Sequence, residues 1–246
     1  MRILITNDDG IEAVGIRSLA DVLGEKHEVY VIAPKTQKSA AGHGISVHTP
    51  ITYTRLSAGN CKLRIAADGT PADCVKLAVL YFMKDRLPDL VISGINEGSN
   101  IGSDVIYSGT VSAALEGAYM GLRSIAVSNA DRYFKEGYGF AANFISENLD
   151  KFVSASLPRF TVLNINYPPV KHCGIAVVPV GMNMYSDSFS EVEDGVLQIS
   201  GFPETEGADE NTDIIQIRKG NITVSPVKLD RNDYDCLEKL KKEIIL

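Results

Sequence analysis

Two adjacent carboxylates near the start of the chain are the residues best suited to chemistry. Asp8 and Asp9 follow the apolar run 2–6, which is typical of a short buried strand, and Gly10 comes directly after them. Two carboxylates held side by side repel each other unless a cation neutralises them. Their hard oxygen atoms favour Mg²⁺, Mn²⁺ or Ca²⁺ over zinc. The pair therefore indicates a divalent-metal site, although the same residues also suit an Asx-turn or the N-cap of a helix.

A second segment has the composition of an anion-binding site. Residues 96–104 are rich in Gly and Asn and follow the apolar run 89–93, and Ser108, Gly109 and Thr110 precede an Ala-rich stretch. The first N–H groups of a helix have no partner within the helix and carry partial positive charge, so an anion such as phosphate binds well there. A tight turn capped by Ser108 would show the same pattern.

The elements that position these residues alternate along the chain. We predict strands at 2–6, 28–33, 89–93, 124–128 and 160–165, helices at 13–24, 71–84, 109–121 and 138–152, and an edge hairpin of 49–56 and 62–67. This alternation predicts an α/β fold with a doubly wound, mostly parallel, Rossmann-like sheet. In such a sheet, ligands bind beyond the carboxyl ends of the strands where the strand order reverses. Asp8, Asp9, Ser39 and Asn96 all follow predicted strands, so we expect them to share one pocket.

The last third of the chain changes character. We predict short strands there, including 213–217 and 222–227, and an amphipathic helix at 230–244. Ile214, Ile215 and Ile217 would then lie on an exposed sheet edge, which a second copy of the chain would cover. We therefore treat residues 1–246 as one domain, with a wound core of about 1–179 and a β-rich C-terminal subregion at 180–246, and expect at least a dimer.

Composition excludes several classes of function. The chain has 246 residues, 45% of them hydrophobic, and a net charge of −7, which argues against nucleic-acid polymers as partners. No apolar run approaches the roughly 18–20 residues that span a bilayer, so we expect no membrane partner. The first strand begins almost at once, without a secretory signal, and the four cysteines are scattered as in reduced proteins, so we expect a cytoplasmic protein. No G-x-G-x-x-G motif of dinucleotide sites follows the first strand, and neither the P-loop motif nor the G-x-S-x-G elbow of serine hydrolases occurs in the sequence.

Four motifs, spread over most of the chain, carry a resemblance to a known family. They are residues 5–10, Ala33-Pro34 followed by Ser39, residues 69–75 and residues 93–117, with weaker similarity at 212–213 and 224–227. In type and order they resemble the motifs of the SurE proteins, metal-dependent 5′-nucleotidases named for stationary-phase survival.

The resemblance implies a function and a set of site residues. One divalent ion, Mg²⁺ or Mn²⁺, would be held by Asp8, Asp9, Ser39 and Asn96. The substrate phosphate would bind near Ser108, Gly109 and Thr110. The reaction would be the hydrolysis of a nucleoside 5′-monophosphate to nucleoside and phosphate by a metal-activated water, with Asp8, Asp9 and Asn96 as catalytic residues. The C-terminal subregion would be an arm exchanged between subunits of a homodimer or homotetramer. His43 lies near Ser39 in the sequence and is a further candidate substrate contact.

Two alternatives are consistent with parts of this pattern. A phosphatase of the haloacid-dehalogenase type would use an aspartate after the first strand to attack phosphorus, but that class has an Asp-x-Asp motif, whereas Asp8 and Asp9 are adjacent. A non-catalytic nucleotide or metal sensor would keep the same ligand residues without turnover.

Overall fold

The computed structural model describes residues 1–131, 133–170, 172–182, 184–201, 203–204 and 209–244. The strands in these residues are β1 (Arg2–Thr6), β2 (Glu28–Pro34), β3 (Tyr53–Arg55), β4 (Leu63–Ala67), β5 (Leu90–Glu97), β6 (Ser124–Asn129), β7 (Thr161–Tyr167), β8 (Gly174–Val177), β9 (Met184–Tyr185), β10 (Ser188–Glu193), β11 (Val196–Ser200), β12 (Pro203–Glu204) and β13 (Asn221–Lys228). The α-helices are α1 (Val14–Gly24), α2 (Pro71–Leu77), α3 (Gly109–Tyr119), α4 (Glu136–Ser154), α5 (Asp213–Arg218) and α6 (Tyr234–Ile244), with a π-helical turn at Ala78–Phe82 and a 3₁₀ turn at Gly102–Ile106.

One large sheet organises the described residues. Its nine strands run in the order β3-β4-β2-β1-β5-β6-β7-β13-β8. The six neighbours from β4 to β7 are mutually parallel. The chain moves outward from β1 to β2 on one side and resumes at β5 on the other, so the strand order reverses between β1 and β5. This topology confirms the predicted doubly wound, mostly parallel α/β fold.

Helices cover both faces of the sheet. Side chains alternate across a strand, so Ile3 and Ile5 of β1 enter one face and Leu4 enters the other. Ile3 and Ile5 belong to a buried cluster with side chains of α1 and α4, and Leu4 belongs to a cluster with side chains of α2 and α3. Burial of each such side chain contributes roughly 1.5–3 kcal/mol. None of the helices in the described part of the chain is long and apolar enough to cross a membrane.

The predicted strands and helices between residues 2 and 165 agree with the structure, with changes at several element ends. Strand β5 continues to Glu97, so Asn96 lies on the strand and not in the loop after it. The predicted helix 71–84 is divided into α2 and the π-helical turn. The predicted edge hairpin forms, because β3 pairs antiparallel with β4, but β3 is limited to Tyr53–Arg55.

The prediction for the region around residue 215 was wrong. Residues 213–217, predicted as an exposed strand, form helix α5, in which Ile214 and Ile217 are 2% and 5% exposed. An isoleucine at i and another at i+3 share one face of a helix, and a run this short does not distinguish helix from strand by its pattern. Residues 222–227 do form a strand, but β13 lies inside the main sheet, antiparallel to β7. The separate antiparallel hairpin is made by β10 and β11.

The helical assignment of α5 leads to a stability prediction. Ile214→Ala and Ile217→Ala should each destabilise the protein by about 2–4 kcal/mol, because each removes a fully buried side chain. Ile215→Ala should cost clearly less, because Ile215 is partly exposed. Urea unfolding of the three variants tests this. In a strand, residues 215 and 217 would share a face, so equal losses at those two positions would contradict the helix.

Candidate active site

The carboxyl end of β1 positions the two adjacent carboxylates. β1 is buried, and beyond it the Asn7 side chain donates to the carbonyl oxygen of Gly10 over 2.9 Å, which closes a turn around the pair. β5 is the parallel neighbour of β1 at the point where the strand order reverses. Open α/β sheets bind ligands at this crevice, so Asp8 and Asp9 occupy the position that the topology favours for a site.

Each carboxylate is held by a different element. The hydroxyl of Thr110, in the first turn of α3, donates to Oδ1 of Asp8 over 2.5 Å. The backbone N–H of Glu97, at the end of β5, donates to Oδ2 of Asp9 over 2.8 Å. The two carboxylates therefore join the start of α3 and the end of β5 to the end of β1.

Burial raises the pKa of both carboxyl groups. For Asp8, which is 6% exposed, the loss of water outweighs the hydrogen bond from Thr110, which favours the ionised form. For Asp9, burial is the main cause and the nearby charge of Asp8 adds to it, which raises the pKa to about 6 despite the hydrogen bond from Glu97. The ion pairs among the described residues include neither carboxylate. Such a pair has the electrostatic character of a cation site, because a cation would favour both ionised forms.

The side chain of Asn96 is oriented by its own backbone. Its Nδ2 donates to the carbonyl oxygen of Gly98 over 2.8 Å, which leaves the Oδ1 oxygen as the amide atom for a ligand. The β5–β6 register shifts between Ser93 and Asn96, where β5 bends at the site. An amide oxygen is the kind of neutral donor that hard divalent ions accept.

The start of α3 approaches Asp8 closely. Ser108 is the N-cap, and its Oγ accepts from the backbone N–H of Val111 over 3.0 Å. A Cβ added at Gly109 would lie 2.9 Å from both Cβ and Oδ2 of Asp8, so glycine is required there. The backbone N–H groups of Gly109 and Thr110 interact with the Asp8 carboxylate, so this helix start and the end of β1 are immediate neighbours.

Ser39 reaches the same site from the loop after β2. The backbone N–H of Lys38 donates to the carbonyl oxygen of Asp8 over 2.7 Å, and that of Gly42 donates to the carbonyl oxygen of Tyr107 over 3.1 Å. Between these anchors, Ala40 has φ of 54°, a left-handed conformation that residues with a side chain rarely adopt. The loop is thus held on both sides of Ser39.

A cavity of about 250 Å³ collects these residues. Of the sequence-predicted site residues, Asp8, Asp9, Ser39, Asn96 and Ser108 line it. The remaining lining residues are Gln37, Ala40, Glu97, Ser99, Asn100, Asp104 and Tyr107. Gly109 and Thr110 contact Asp8 at the start of α3, beside the lining residues.

A larger cavity, of about 650 Å³, opens among residues at the amino ends of the strands. Two of its carboxylates are paired with cations, since Asp89 lies 3.0 Å from Arg2 and Glu28 lies 3.8 Å from Arg86. The smaller cavity holds two adjacent buried carboxylates at the carboxyl ends of the strands, where open α/β sheets bind ligands, and is the candidate active site.

Buried asparagines that the sequence analysis did not identify support the loop after β5. The side chains of Asn164 and Asn166, on β7, both donate to the carbonyl oxygen of Asn100. Oδ1 of Asn166 also accepts from the backbone N–H of Asn100 over 2.8 Å. The Asn100 side chain donates to the hydroxyl of Ser128 on β6 over 2.9 Å. The available signal was Asn164-Ile165-Asn166 within an apolar strand, because residues two apart share a face.

Asp213, also missed as a site residue, connects α5 to the same loop. Its carboxylate, fully buried, accepts from the backbone N–H of Gly102 over 3.1 Å and of Gly181 over 2.8 Å. The hydroxyl of Tyr185, on β9, donates to Asp104 in the 3₁₀ turn. The C-terminal third therefore contributes directly to the rim of the candidate site.

The structure pairs His43 with Glu116. The His43 Nε2 lies 2.8 Å from Oε2 of Glu116, and His43 is not among the residues that line the 250 Å³ cavity. A direct contact between His43 and substrate stays a prediction.

A protein-family model matches most of the chain. Residues 3–187 match the model described as "Survival protein SurE". Three similar curated proteins carry the name "5′-nucleotidase SurE". The protein from Pelotomaculum thermopropionicum is 43% identical over 98% of this chain and 95% of its own length, and that from Carboxydothermus hydrogenoformans is 43% identical with the same shares. The protein from Kosmotoga olearia is 40% identical over 99% of this chain and 98% of its own length.

A solved structure has the same fold. The crystal structure of the SurE protein from Aquifex aeolicus superimposes with a TM-score of 0.85, at 32% sequence identity, and the match covers 99% of each chain. The described topology is therefore that of the SurE structure over nearly its whole length.

The raised pKa of Asp9 leads to a pH-dependent stability prediction. A carboxyl group with a raised folded-state pKa favours folding when protonated, so the metal-free protein should lose stability as pH rises from about 4 through 6. The Asp9→Asn substitution should remove this loss. The free energy of unfolding of the variant should exceed that of the parent protein by about 1–3 kcal/mol at pH 8 and differ little from it at pH 4.

Urea unfolding in EDTA at both pH values measures the effect. Asp21→Asn, an exposed carboxylate on α1, is the matched control and should leave the pH dependence unchanged. If the stability of the Asp9→Asn protein has the parental pH dependence, the pKa of Asp9 is not raised in the folded protein.

Proposed function

The chain belongs to the SurE family, and on that premise we propose that it is a 5′-nucleotidase that hydrolyses nucleoside 5′-monophosphates to nucleoside and phosphate with the help of a divalent metal ion. The support from the comparisons is the name "5′-nucleotidase SurE" carried by relatives that match nearly the whole chain.

The observation that carries the proposal is the contact between Thr110 and Asp8. Because the Thr110 hydroxyl donates to the Asp8 carboxylate over 2.5 Å, the helix start that suits a phosphate and the carboxylates that suit a cation adjoin each other. Phosphate-ester hydrolysis needs these two functions side by side, since a bound phosphate must be partly neutralised before a nucleophile approaches it.

The residues at the site fit a hard divalent ion. Asp8 and Asp9 supply two carboxylates without an ion-pair partner among the described residues, and Asn96 and Ser39 supply neutral oxygens to the same cavity. We assign these four residues as the ligands of one Mg²⁺ or Mn²⁺ ion, because oxygen donors of this kind are those that such ions prefer. When bound, the ion supplies positive charge to the phosphoryl group and acidifies a water molecule.

The start of α3 would hold the phosphate. The Ser108 oxygen accepts from Val111, which leaves the hydroxyl hydrogen as a donor for a phosphate oxygen. The backbone N–H groups of the first turn, at Gly109 and Thr110, interact with the Asp8 carboxylate in this structure, and the helix dipole behind them favours an anion at the same place. Because Gly109 has no side chain, the phosphate and Asp8 can both approach this turn.

The cellular setting is part of the same proposal. The substrate is a free nucleotide, and the net charge of −7 disfavours an extended nucleic-acid polymer. The four cysteines, Cys61, Cys74, Cys173 and Cys236, are free thiols, which is typical of the cytoplasm, where we place the enzyme.

Metal dependence is the central test of the proposed function. EDTA should abolish phosphate release from nucleoside 5′-monophosphates, and Mg²⁺ or Mn²⁺ should restore it. Asp8→Asn should lower kcat/KM by about 100-fold or more, because even residues that only support metal ligands typically contribute 10–100-fold. Phosphate release from a nucleotide panel measures both effects.

The controls separate a nucleotidase from a sensor. Asp21→Asn, on the surface of α1, should retain parental activity. Full activity in excess EDTA would exclude the metal-dependent mechanism. Binding of Mn²⁺ and nucleotide without phosphate release would identify a sensor instead.

We further propose that the chain forms a homodimer or homotetramer through its C-terminal arm. The hairpin β10–β11 pairs only with itself among the described residues and exposes apolar side chains, with Phe189 67%, Leu197 62% and Ile199 57% exposed. A lone two-stranded hairpin is marginally stable in water. Helix α6 likewise has no buried residue and exposes Leu237, Leu240 and Ile244. Contact with another subunit would cover both surfaces.

Leu197 and Ile199 provide the test of assembly. Leu197→Glu combined with Ile199→Glu should dissociate or reduce the oligomer, because the two side chains share one face of β11. Gln198→Glu, on the other face, is the matched control and should leave the mass unchanged. Light scattering after size exclusion measures the mass, and a stable monomer of the parent chain at micromolar concentration would contradict the proposal.

A further inference from the structure

A buried carboxylate with two partly exposed partners lies beside the loop that carries Ser39. The carboxylate belongs to Glu116 of α3, about two turns after the start of that helix and 4% exposed. Oε1 of Glu116 lies 2.7 Å from Nζ of Lys76 on α2, and Oε2 lies 2.8 Å from Nε2 of His43 in the loop. We call these three residues the Glu116 cluster.

The buried carboxylate of Glu116 needs partners, and His43 and Lys76 supply them. Burial opposes ionisation of Glu116, but the hydrogen bonds from His43 and Lys76 and the charge of Lys76 hold its pKa below the usual range. A buried carboxylate that loses its partners is strongly destabilised. His43 is therefore drawn to a fixed point on α3, the same helix whose first turn contacts Asp8.

The loop has further anchors, but they lie to either side of His43. Gly42 bonds to the backbone of Tyr107, Gly44 accepts from the hydroxyl of Thr70 over 2.7 Å, and Ser46 donates twice to Asp73. Unlike these anchors, His43 contacts α3 through its side chain. Ser39 is only four positions earlier, just beyond the left-handed turn at Ala40.

We propose that the residues of the Glu116 cluster are positioning residues for Ser39. By tying the loop to α3, they hold the Ser39 hydroxyl at the cavity shared with Asp8 and Asp9, and so raise the affinity of the site for its divalent ion. The inference rests on the proposed function, because it assumes that Ser39 is a metal ligand. It assigns to His43 a role through Glu116 and not a contact with substrate.

Metal affinity measured without nucleotide tests the proposal. Free Mn²⁺ is followed by electron paramagnetic resonance while it is titrated into the full-length protein. His43→Ala should raise the Kd for Mn²⁺ about tenfold, in the range found for residues that support metal ligands. His43→Gln, whose side-chain amide nitrogen can still donate to Glu116, should restore most of the affinity. Glu116→Gln should also raise the Kd, and His43→Ala combined with Glu116→Gln should add little to either single change.

The controls separate positioning from folding. Arg2→Met breaks a more exposed ion pair, 3.0 Å from Asp89, among the residues at the amino ends of the strands, and should leave the Kd for Mn²⁺ unchanged. Melting temperatures are measured beside each titration, and if Glu116→Gln does not fold, the comparison of His43→Ala with His43→Gln carries the test.

Three outcomes would overturn one proposal or the other. If Asp8→Asn binds Mn²⁺ as tightly as the parent protein, the metal site of the proposed function is wrong. If Asp8→Asn loses Mn²⁺ while His43→Ala keeps the parental Kd, only the positioning role is wrong. A His43→Ala protein with parental Mn²⁺ affinity and a raised KM for nucleotide would assign His43 to substrate binding instead.

Discussion

The burial of two adjacent carboxylates at the end of β1 is the constraint on which the rest of the site depends. Asp8 and Asp9 lose most of their contact with water, and their pKa values rise as a result. A hydrogen-bond donor from elsewhere in the fold partly offsets the rise in each pKa: the Thr110 hydroxyl for Asp8 and the Glu97 N–H for Asp9. These two bonds set the start of α3 and the end of β5 against β1, so the electrostatic cost of the pair also fixes its surroundings.

The sheet topology makes this arrangement available. β1 and β5 are neighbours at the point where the strand order reverses, which is where open α/β sheets bind ligands. The turn after β1, the loop after β2 and the start of α3 therefore converge on one cavity. The adjacent carboxylates and the start of α3 lie next to each other there, which is the arrangement that the proposed phosphomonoesterase would use.

Around this centre, several buried polar groups are paired with one another. Asn164 and Asn166 hold the backbone of Asn100, Asp213 holds that of Gly102, and Glu116 holds His43. Each contact joins a loop at the site to a rigid strand or helix. Loops are more mobile than strands and helices unless such contacts hold them in place. Buried polar groups are costly unless they are hydrogen-bonded. The same contacts therefore both fix the loops and satisfy the buried polar groups.

Local patterns in the sequence were sufficient to predict the wound core and the polar residues at its edge. The apolar runs of β1, β2, β5, β6 and β7 identify a parallel sheet, and Asp8, Asp9, Ser39 and Asn96 follow or end three of those strands. Strand periodicity and the rule that ligands bind beyond strand ends depend only on local sequence and chain direction, so they can be read without coordinates.

The tertiary structure decided the rest, because it depends on partners distant in the chain. The isoleucines at 214 and 217 form a helix and not a strand, since what chooses between the two is the surface against which that face packs. His43 is bonded to Glu116, 73 positions away, and Asp213 to Gly102, 111 positions away. Spacing along the sequence does not encode such pairs. They form only when the fold brings two buried polar groups together and leaves each as the other's hydrogen-bond partner.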